Sequence, residues 1–172
     1  MSQWDPGAED LLRRRAEQLA KRVDTEEEAR HDVEVLICRL GGERYAIETR
    51  TLRAVLSATG VTRVPSTPAY VLGIVSVRGE IVTLLDLATM IGLTHQPAER
   101  TTCSVLLLGL AGLRCGLVVD EVLEVERIRM DALEPSISGR EFTRGLAPGP
   151  TVVLDVEQLM ASGRFSVAEE VI

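Results

Sequence analysis

Histidine is almost missing from this chain, with His31 and His95 the only two in 172 residues. The three cysteines, Cys38, Cys103 and Cys115, are odd in number and show no Cys-x-x-Cys spacing. No zinc ligand set can be assembled from these residues. The cysteines are expected to be small buried thiols of a reducing compartment. Aromatic residues make up 3% of the chain, too few to stack successive bases of a nucleic acid. The formal net charge of −7 leaves no basic footprint either. Arg13, Arg14 and Arg15 do cluster, but Glu9, Asp10 and Glu17 surround them. No apolar run approaches the ~20 residues of a spanning helix, and the polar, acidic beginning has no apolar signal-like stretch. These shortages predict a cytoplasmic protein without nucleic acid, metal or direct membrane insertion.

The signatures of catalysis are also missing. There is no Gly-x-x-x-x-Gly-Lys phosphate loop, no Gly-x-Gly-x-x-Gly turn and no Gly-x-Ser-x-Gly elbow. His31 falls in a polar linker and His95 in a loop, so neither is placed for acid–base work. Asp120 and Glu121 are adjacent on a strand pattern and should point to opposite faces. No catalytic residue and no cofactor is expected.

What the chain does contain is a repeat. Gly42-Glu43-Arg44-Tyr45-Ala46-Ile47 is followed by Leu52, Val55, Pro65 and Val82-Thr83-Leu84-Leu85-Asp86-Leu87. About seventy residues later the same order returns, as Gly112-Leu113-Arg114-Cys115-Gly116-Leu117, Val122, Val125, Pro135 and Thr151-Val152-Val153-Leu154-Asp155-Val156. Two long copies imply paired subdomains rather than a solenoid. With a hydrophobic fraction of 45% and few rings, the core must be filled by Leu, Val and Ile.

Residues 1–32 stand apart as a helical or flexible extension. Asp5-Pro6 suits a helix start, and Ala8, Leu12, Ala16, Leu19 and Val23 recur at helical spacing. Asp24 and Glu26-Glu27-Glu28 then make a polar connection. From Val33 the period is that of strands. Val33 to Leu40, the Gly41-Gly42 turn and the Tyr45–Ile47 return read as a hairpin. Thr49 to Leu56 fits a helical turn or a strand equally. Val61–Val64 reads as a short strand, Val71–Val77 and Ile81–Leu85 as strands joined at Arg78-Gly79-Glu80, and Leu87–Ile91 as a short helix ended by Gly92. Ser104–Leu110 and Arg114–Val119 flank the Ala111-Gly112 turn, Val122–Arg127 echoes the segment around Val55, Ser136–Gly149 reads as a loop, and Thr151–Leu154 as a closing strand. Asp155 with Gln158 resembles a capping box, so Asp86 and Asp155 are expected to cap helices. Short strands broken by glycine and proline, with no βαβ alternation, predict small barrels.

The run Val71-Leu72-Gly73-Ile74-Val75-Ser76-Val77-Arg78-Gly79-Glu80-Ile81-Val82-Thr83-Leu84-Leu85-Asp86-Leu87 resembles the centre of the CheW-like family of chemotaxis coupling proteins. Arg63-Val64-Pro65 and Gly116-Leu117-Val118-Val119-Asp120-Glu121-Val122 match as well, and the likeness spans about Val33 to Met160. It implies an all-β fold of two packed SH3-like five-stranded barrels with short helices. The expected domain is 33–160, with a first barrel at about 33–93, a second at about 104–160, strand exchange between them left open, and a tail at 161–172. It also implies a non-catalytic adaptor linking the cytoplasmic tips of methyl-accepting chemoreceptors to the regulatory domain of the histidine kinase CheA, recruited to membrane-associated arrays. By position, the resemblance makes Arg78, Gly79 and Ser104 receptor-facing and Leu52, Ala54 and Val55 kinase-facing. Arg78 is expected at a connection whose flanks, Val75, Val77, Ile81 and Leu85, the barrel buries.

Three features depart from the family pattern. Ala54 stands where the family carries Glu, the Ser136–Gly149 loop is short, and the extension lies outside the core. They suggest a specialised or accessory member. The alternatives are a free-standing CheW-like module for array localisation or a non-chemotactic kinase pathway and, from another class, a β-barrel for a small ligand or nucleic acid.

Overall fold

A computed structural model describes residues 32–94, 102–135 and 141–164, together with Arg14, Arg15 and Glu17. Ten strands are formed: β1 (Asp32–Leu40), β2 (Glu43–Glu48), β3 (Leu52–Thr59), β4 (Val71–Val77), β5 (Glu80–Asp86), β6 (Thr102–Leu108), β7 (Cys115–Val119), β8 (Glu121–Arg129), β9 (Thr143–Ala147) and β10 (Thr151–Leu154). Helix α1 (Leu87–Met90) follows β5 and helix α2 (Val156–Ala161) follows β10. Single 3-10 turns at Thr49–Thr51 and Met130–Ala132 stand before β3 and after β8. The fold is all-β, with two curled five-stranded sheets of the SH3-like kind.

The sheets do not follow the division of the chain at residues 93–104. Barrel A has the order β8-β1-β2-β10-β9 and barrel B the order β3-β6-β7-β5-β4. Barrel A takes the β1–β2 hairpin from the first copy of the repeat and β8, β9 and β10 from the second, and barrel B takes the β6–β7 hairpin from the second copy and β3, β4 and β5 from the first. The exchanged strands join in parallel, β10 on β2 and β5 on β7, where all other pairs are antiparallel. Two glycine-bearing bridges complete the symmetry. Thr62 beyond β3 pairs with Ile74 of β4, and Glu134 beyond β8 pairs with Leu146 of β9, each through two backbone hydrogen bonds of 2.8–2.9 Å.

Gly73 and Gly145 sit beside those bridges with φ of 146° and 156°. A Cβ at Gly73 would stand 2.3 Å from the Thr62 carbonyl oxygen, and one at Gly145 would stand 2.7 Å from that of Glu134. Glycine is required at both places by close backbone approach and by the left-handed dihedral.

Burial explains the sequence pattern. Val35, Ile37, Ala46 and Val153 fill barrel A, while Val82, Leu84, Val105 and Leu107 fill barrel B. The alternate residues Leu36, Cys38, Leu106 and Leu117 face a larger cluster that joins the two sheets and takes in both helices. The central strands are therefore buried on both faces and read as continuous apolar runs. Tyr45, one of only two tyrosines, is fully buried in this seam, and its hydroxyl donates to Glu43 Oε2 at 2.8 Å.

Several expectations change. Thr49–Leu56 resolves into a 3-10 turn and the start of β3. Val61–Val64 contributes only the bridge at Thr62. The expected loop Ser136–Gly149 contains strand β9, hidden by Gly145 and the nearby prolines; residues 136–140 lie outside the described residues. Asp155 caps α2 by accepting from Gln158 N–H at 2.9 Å. Asp86 makes no such bond to its helix backbone and instead accepts from the Thr89 hydroxyl at 2.6 Å. Ile81 is 63% exposed, not buried, because it leaves the β4–β5 turn at the open end of barrel B. The extension falls largely outside the described residues, of which Arg14, Arg15 and Glu17 are helical and exposed.

Candidate partner-binding groove

Strand β3 pairs with β6 along one side and is the edge of its sheet, as is β4 on the far side. The barrel closes only beyond Gly60, at the Thr62 bridge. Between the two edges lies an open groove of about 470 Å3, lined by Arg53, Val55, Ser57, Val75, Val77 and Arg78 among others. An edge strand with unpaired ladder groups beside apolar side chains is a ready surface for another chain.

The bulge between Leu52 and Ala54 sets the phase of β3. Leu52 packs on the seam between the barrels. After the bulge, Ala54, Leu56 and Ala58 turn into barrel B, and Val55 is left 47% exposed. Of the three residues expected to face the kinase, Val55 is thus the outward one. Ala54 touches the groove from its inner wall, and Leu52 belongs to the core. The repeat shares this outcome, since Val122 packs on the seam and Val125 is 57% exposed.

Arg78 and Gly79 form the two-residue link between β4 and β5, with Val77 paired to Glu80. Both have positive φ, 51° and 85°, the pattern of a type I′ hairpin turn that favours Asn-Gly. Arginine in this conformation costs about 1 kcal/mol relative to glycine. Arg78 therefore presents an exposed side chain on the groove rim from a strained backbone position. Beside it, Arg53 is held by Glu80 at 3.2 Å. Arg78, Val55 and Ala54 therefore share one groove. Ser104 is not a lining residue of the groove but pairs in register with groove-lining Ser57 of β3 and with Val119 of β7.

The sequence model of the CheW-like domain matches residues 34–164, most of the chain. The chain belongs to the CheW-like family. Among curated relatives, a probable chemotaxis protein CheW of Rhizobium etli is 29% identical over 121 residues, covering 67% of this chain and 77% of that protein. The chemotaxis protein CheW of Klebsiella aerogenes is 27% identical over 146 residues, covering 80% and 87%. Protein FrzA of Myxococcus xanthus is 32% identical over 114 residues, covering 65% and 70%. The crystal structure of the scaffolding protein CheW of Thermoanaerobacter tengcongensis superposes with a TM-score of 0.64 at 23% identity, covering 74% of this chain and 91% of that one, which shows the shared fold.

One feature of this CheW-like chain gave no sequence signal. Glu48, at the end of β2, is only 5% exposed and lies between two arginines from opposite copies of the repeat. Arg144 of β9 reaches it at 2.5 Å and continues to Asp155 Oδ2 at 3.0 Å. Arg50 bonds Glu48 as well and spans to Glu157 of α2 at 2.7 Å. Hydrogen bonds to Glu48, then to Glu157, hold the Arg50 pKa above its ordinary value. The network ties β2, β9 and α2 together without forming a reaction centre. Glutamates and arginines scattered over a hundred residues carry no local pattern, so only the exchange of strands makes them neighbours.

The described thiols are buried. Burial pushes Cys38 up to about 12, helped by the charge of Asp120, and burial pushes Cys115 up to about 11. Both are free. The side chain of Cys103 and both histidines fall outside the described residues. Among the described residues no cluster fits a metal ion, and no helix is long and apolar enough to cross a membrane. Asp120 stands in the bend between β7 and β8 rather than on a strand, and Glu121 is the first residue of β8. Asp120 accepts from Gly41 N–H at 2.7 Å, and Glu121 pairs with Arg39 at 3.0 Å.

Proposed function

We propose that this protein is a non-catalytic chemotaxis adaptor that couples chemoreceptor cytoplasmic tips to the regulatory domain of the histidine kinase CheA. It acts in the cytoplasm and is recruited to receptor arrays at the membrane. Membership of the CheW-like family and the chemotaxis names of its relatives support the adaptor class. The observation that carries the coupling is the groove itself, where exposed Val55 and strained Arg78 flank an edge strand of barrel B. The kinase domain is a folded β partner, suited to an apolar barrel edge with one charged rim. A planar guanidinium at Arg78 can meet carboxylates or helix-terminal carbonyls. Leu52 and Ala54 serve by placing β3, and Gly79 by permitting the turn. Ser104 belongs with the receptor side.

Titration of the purified protein against the CheA regulatory domain and a soluble receptor-tip fragment tests the reading. Wild type should bind both. Arg78→Ala should weaken binding of the receptor-tip fragment by about ten- to a hundredfold while the melting curve is retained. Absence of binding by the wild type, or unchanged affinities in the variant, would remove the coupling role from this groove.

A further inference from the structure

The chain passes from barrel A into barrel B at Thr49–Thr51 and returns at Asp120, between β7 and β8. The first passage leads directly into β3, one wall of the groove. Its middle residue, Arg50, is gripped from two sides. Its Nε donates to Glu48 Oε2, while Nη1 and Nη2 donate to the two carboxylate oxygens of Glu157 on α2 at 2.7 and 3.1 Å. A planar, two-pronged pairing of this kind fixes direction as well as distance. On the next residue, the buried Thr51 hydroxyl donates to the Glu48 carbonyl at 2.7 Å, and the Thr51 carbonyl accepts from Gly109 N–H at 2.8 Å. Helix α2 is a firm anchor for this grip. Val156 and Leu159 are buried in the seam, and the capping residue Asp155 is joined to Glu48 through Arg144.

The return passage is built differently. In the repeat Asp120 takes the place of Arg50, and Ala88 that of Glu157. Asp120 accepts from Gly41 N–H in the β1–β2 turn at 2.7 Å, and Ala88 of α1 offers only a methyl group. Strand β8, which follows, is restrained along its length instead, where Arg44 holds Glu124 and Glu126 at 3.2 Å. The same places on β3 are Ala54 and Leu56, which can form no ion pair. Besides its pairing with β6, β3 is tied by charge at Arg50, just before it, and at Arg53, which meets Glu80 at 3.2 Å. We propose that Arg50 and Glu157 are a positioning pair, through which α2 of barrel A sets where β3 enters barrel B and so how Val55 is presented on the groove. Both side chains are about half exposed, so the pair contributes little to overall stability. Its consequence for recognition, though not the positioning itself, rests on the adaptor reading given above.

Amide spectra of the full 15N-labelled chain read the positioning without any partner. Glu157→Gln keeps the shape of the side chain and removes its charge. It should move amides from Thr49 along β3 to Thr59, leave those of β8 in place and leave the denaturant midpoint nearly unchanged. Arg50→Gln should move the same β3 amides, and the double variant should move them no further than either single change. Arg50→Lys, which keeps the charge without the planar fork, should give an intermediate shift. Changes confined to Glu48–Leu52 and α2, or additive effects of the two single changes, would overturn the proposal. A marked fall in midpoint with amides moving throughout both barrels would make the pair a support of the whole fold and overturn it too. Titration with the CheA regulatory domain reads the consequence. Glu157→Gln, which lies outside the groove lining, should bind it several-fold more weakly than wild type. Movement of β3 without that loss would keep the positioning and refute its bearing on recognition, whereas a wild type that binds no kinase domain would refute the adaptor reading alone.

Discussion

Barrels A and B close in the same manner, through Glu134–Leu146 in one and Thr62–Ile74 in the other, yet their open edges have opposite character. On β3 the residues that turn toward the interior of barrel B are Ala54 and Leu56. Their counterparts on β8 are Glu124 and Glu126, both held by Arg44 at 3.2 Å, which also contacts Thr151 of β10. Barrel A thus has charged side chains where barrel B is neutral and open. In the repeat, Ala54 of the first copy corresponds to Glu124 of the second. The two edges therefore differ in their inward side chains, carboxylates held by Arg44 in barrel A and Ala54 with Leu56 in barrel B.

The largest effects should fall where the barrels are most alike. Gly73→Ala and Gly145→Ala each drive a methyl group into a backbone carbonyl at a left-handed dihedral. Each should cost on the order of 3 kcal/mol or more in denaturant unfolding. Gly73→Ala should be the worse, because its contact is 2.3 Å against 2.7 Å. Equal and small losses would mean that the bridges open freely and that the barrels are not closed there.

The next test concerns a charge network found in barrel A. Arg144→Ala removes the guanidinium that joins Glu48 to Asp155 and leaves a buried carboxylate with Arg50. Breaking a buried pair usually costs about 3–5 kcal/mol, and the partial exposure of Arg144 reduces the expected loss here to about 2–3 kcal/mol. In the matching position of barrel B stands Leu72, packed with apolar neighbours. Arg144→Leu should therefore be no better tolerated than alanine unless Glu48 is also replaced. A double change, Glu48→Gln with Arg144→Leu, should recover part of the loss. Independent, additive losses in that cycle would show that the residues are not coupled.

Val55 and Val125 then separate recognition from fold. Both are exposed edge valines in equivalent register, Val55 opposite Leu106 and Val125 opposite Leu36. Val55→Asp and Val125→Asp should each change stability by less than about 1 kcal/mol. Only Val55→Asp should weaken binding of the kinase domain, by at least about tenfold, because a carboxylate at an apolar contact loses its hydration. Equal losses from the two would show that both edges dock partners, and the contrast between barrels would fail.

The repeat was legible in the chain because glycine turns, prolines and closing strands recur in order. That order implied two barrels, and the family resemblance named them SH3-like. Which strand joins which barrel was not legible. Exchange leaves every local pattern unchanged, since β3 pairs with β6 by the same alternation that would let it pair with its own hairpin. Strand β9 was missed because Thr143-Arg144-Gly145-Leu146-Ala147 combines a glycine with nearby prolines, although its counterpart β4 was plain from Val71 to Val77. Within the candidate site, Arg78 was readable from its turn. The separate fates of Leu52, Ala54 and Val55 depended on a bulge after Leu52, which shifts the strand's phase without leaving a proline or glycine to mark it.

The smallest expected effect comes from one hydroxyl. Thr143, at the start of β9, occupies the place that Val71 holds in β4; Thr143 is opposite Leu154 and Val71 opposite Leu85, each beside a strand irregularity. The Thr143 hydroxyl is buried and, among the described residues, meets no hydrogen-bond partner. A buried hydroxyl without a partner loses its bonds to water and gains nothing in return, a cost of about 1–3 kcal/mol in mutational data. Valine has nearly the same shape, keeps the β-branch that suits a strand and is already the solution adopted by the other copy. Thr143→Val should therefore stabilise the protein by about 0.5–1 kcal/mol, read as a higher denaturant midpoint with an unchanged slope. The reverse change, Val71→Thr, should destabilise by a similar or greater amount, because it buries a new hydroxyl among Tyr70, Leu85 and their apolar neighbours. If Thr143→Val instead lowers the midpoint, the hydroxyl is satisfied by a bound water. The two barrels would then differ in hydration at this seam as well as in charge at their edges.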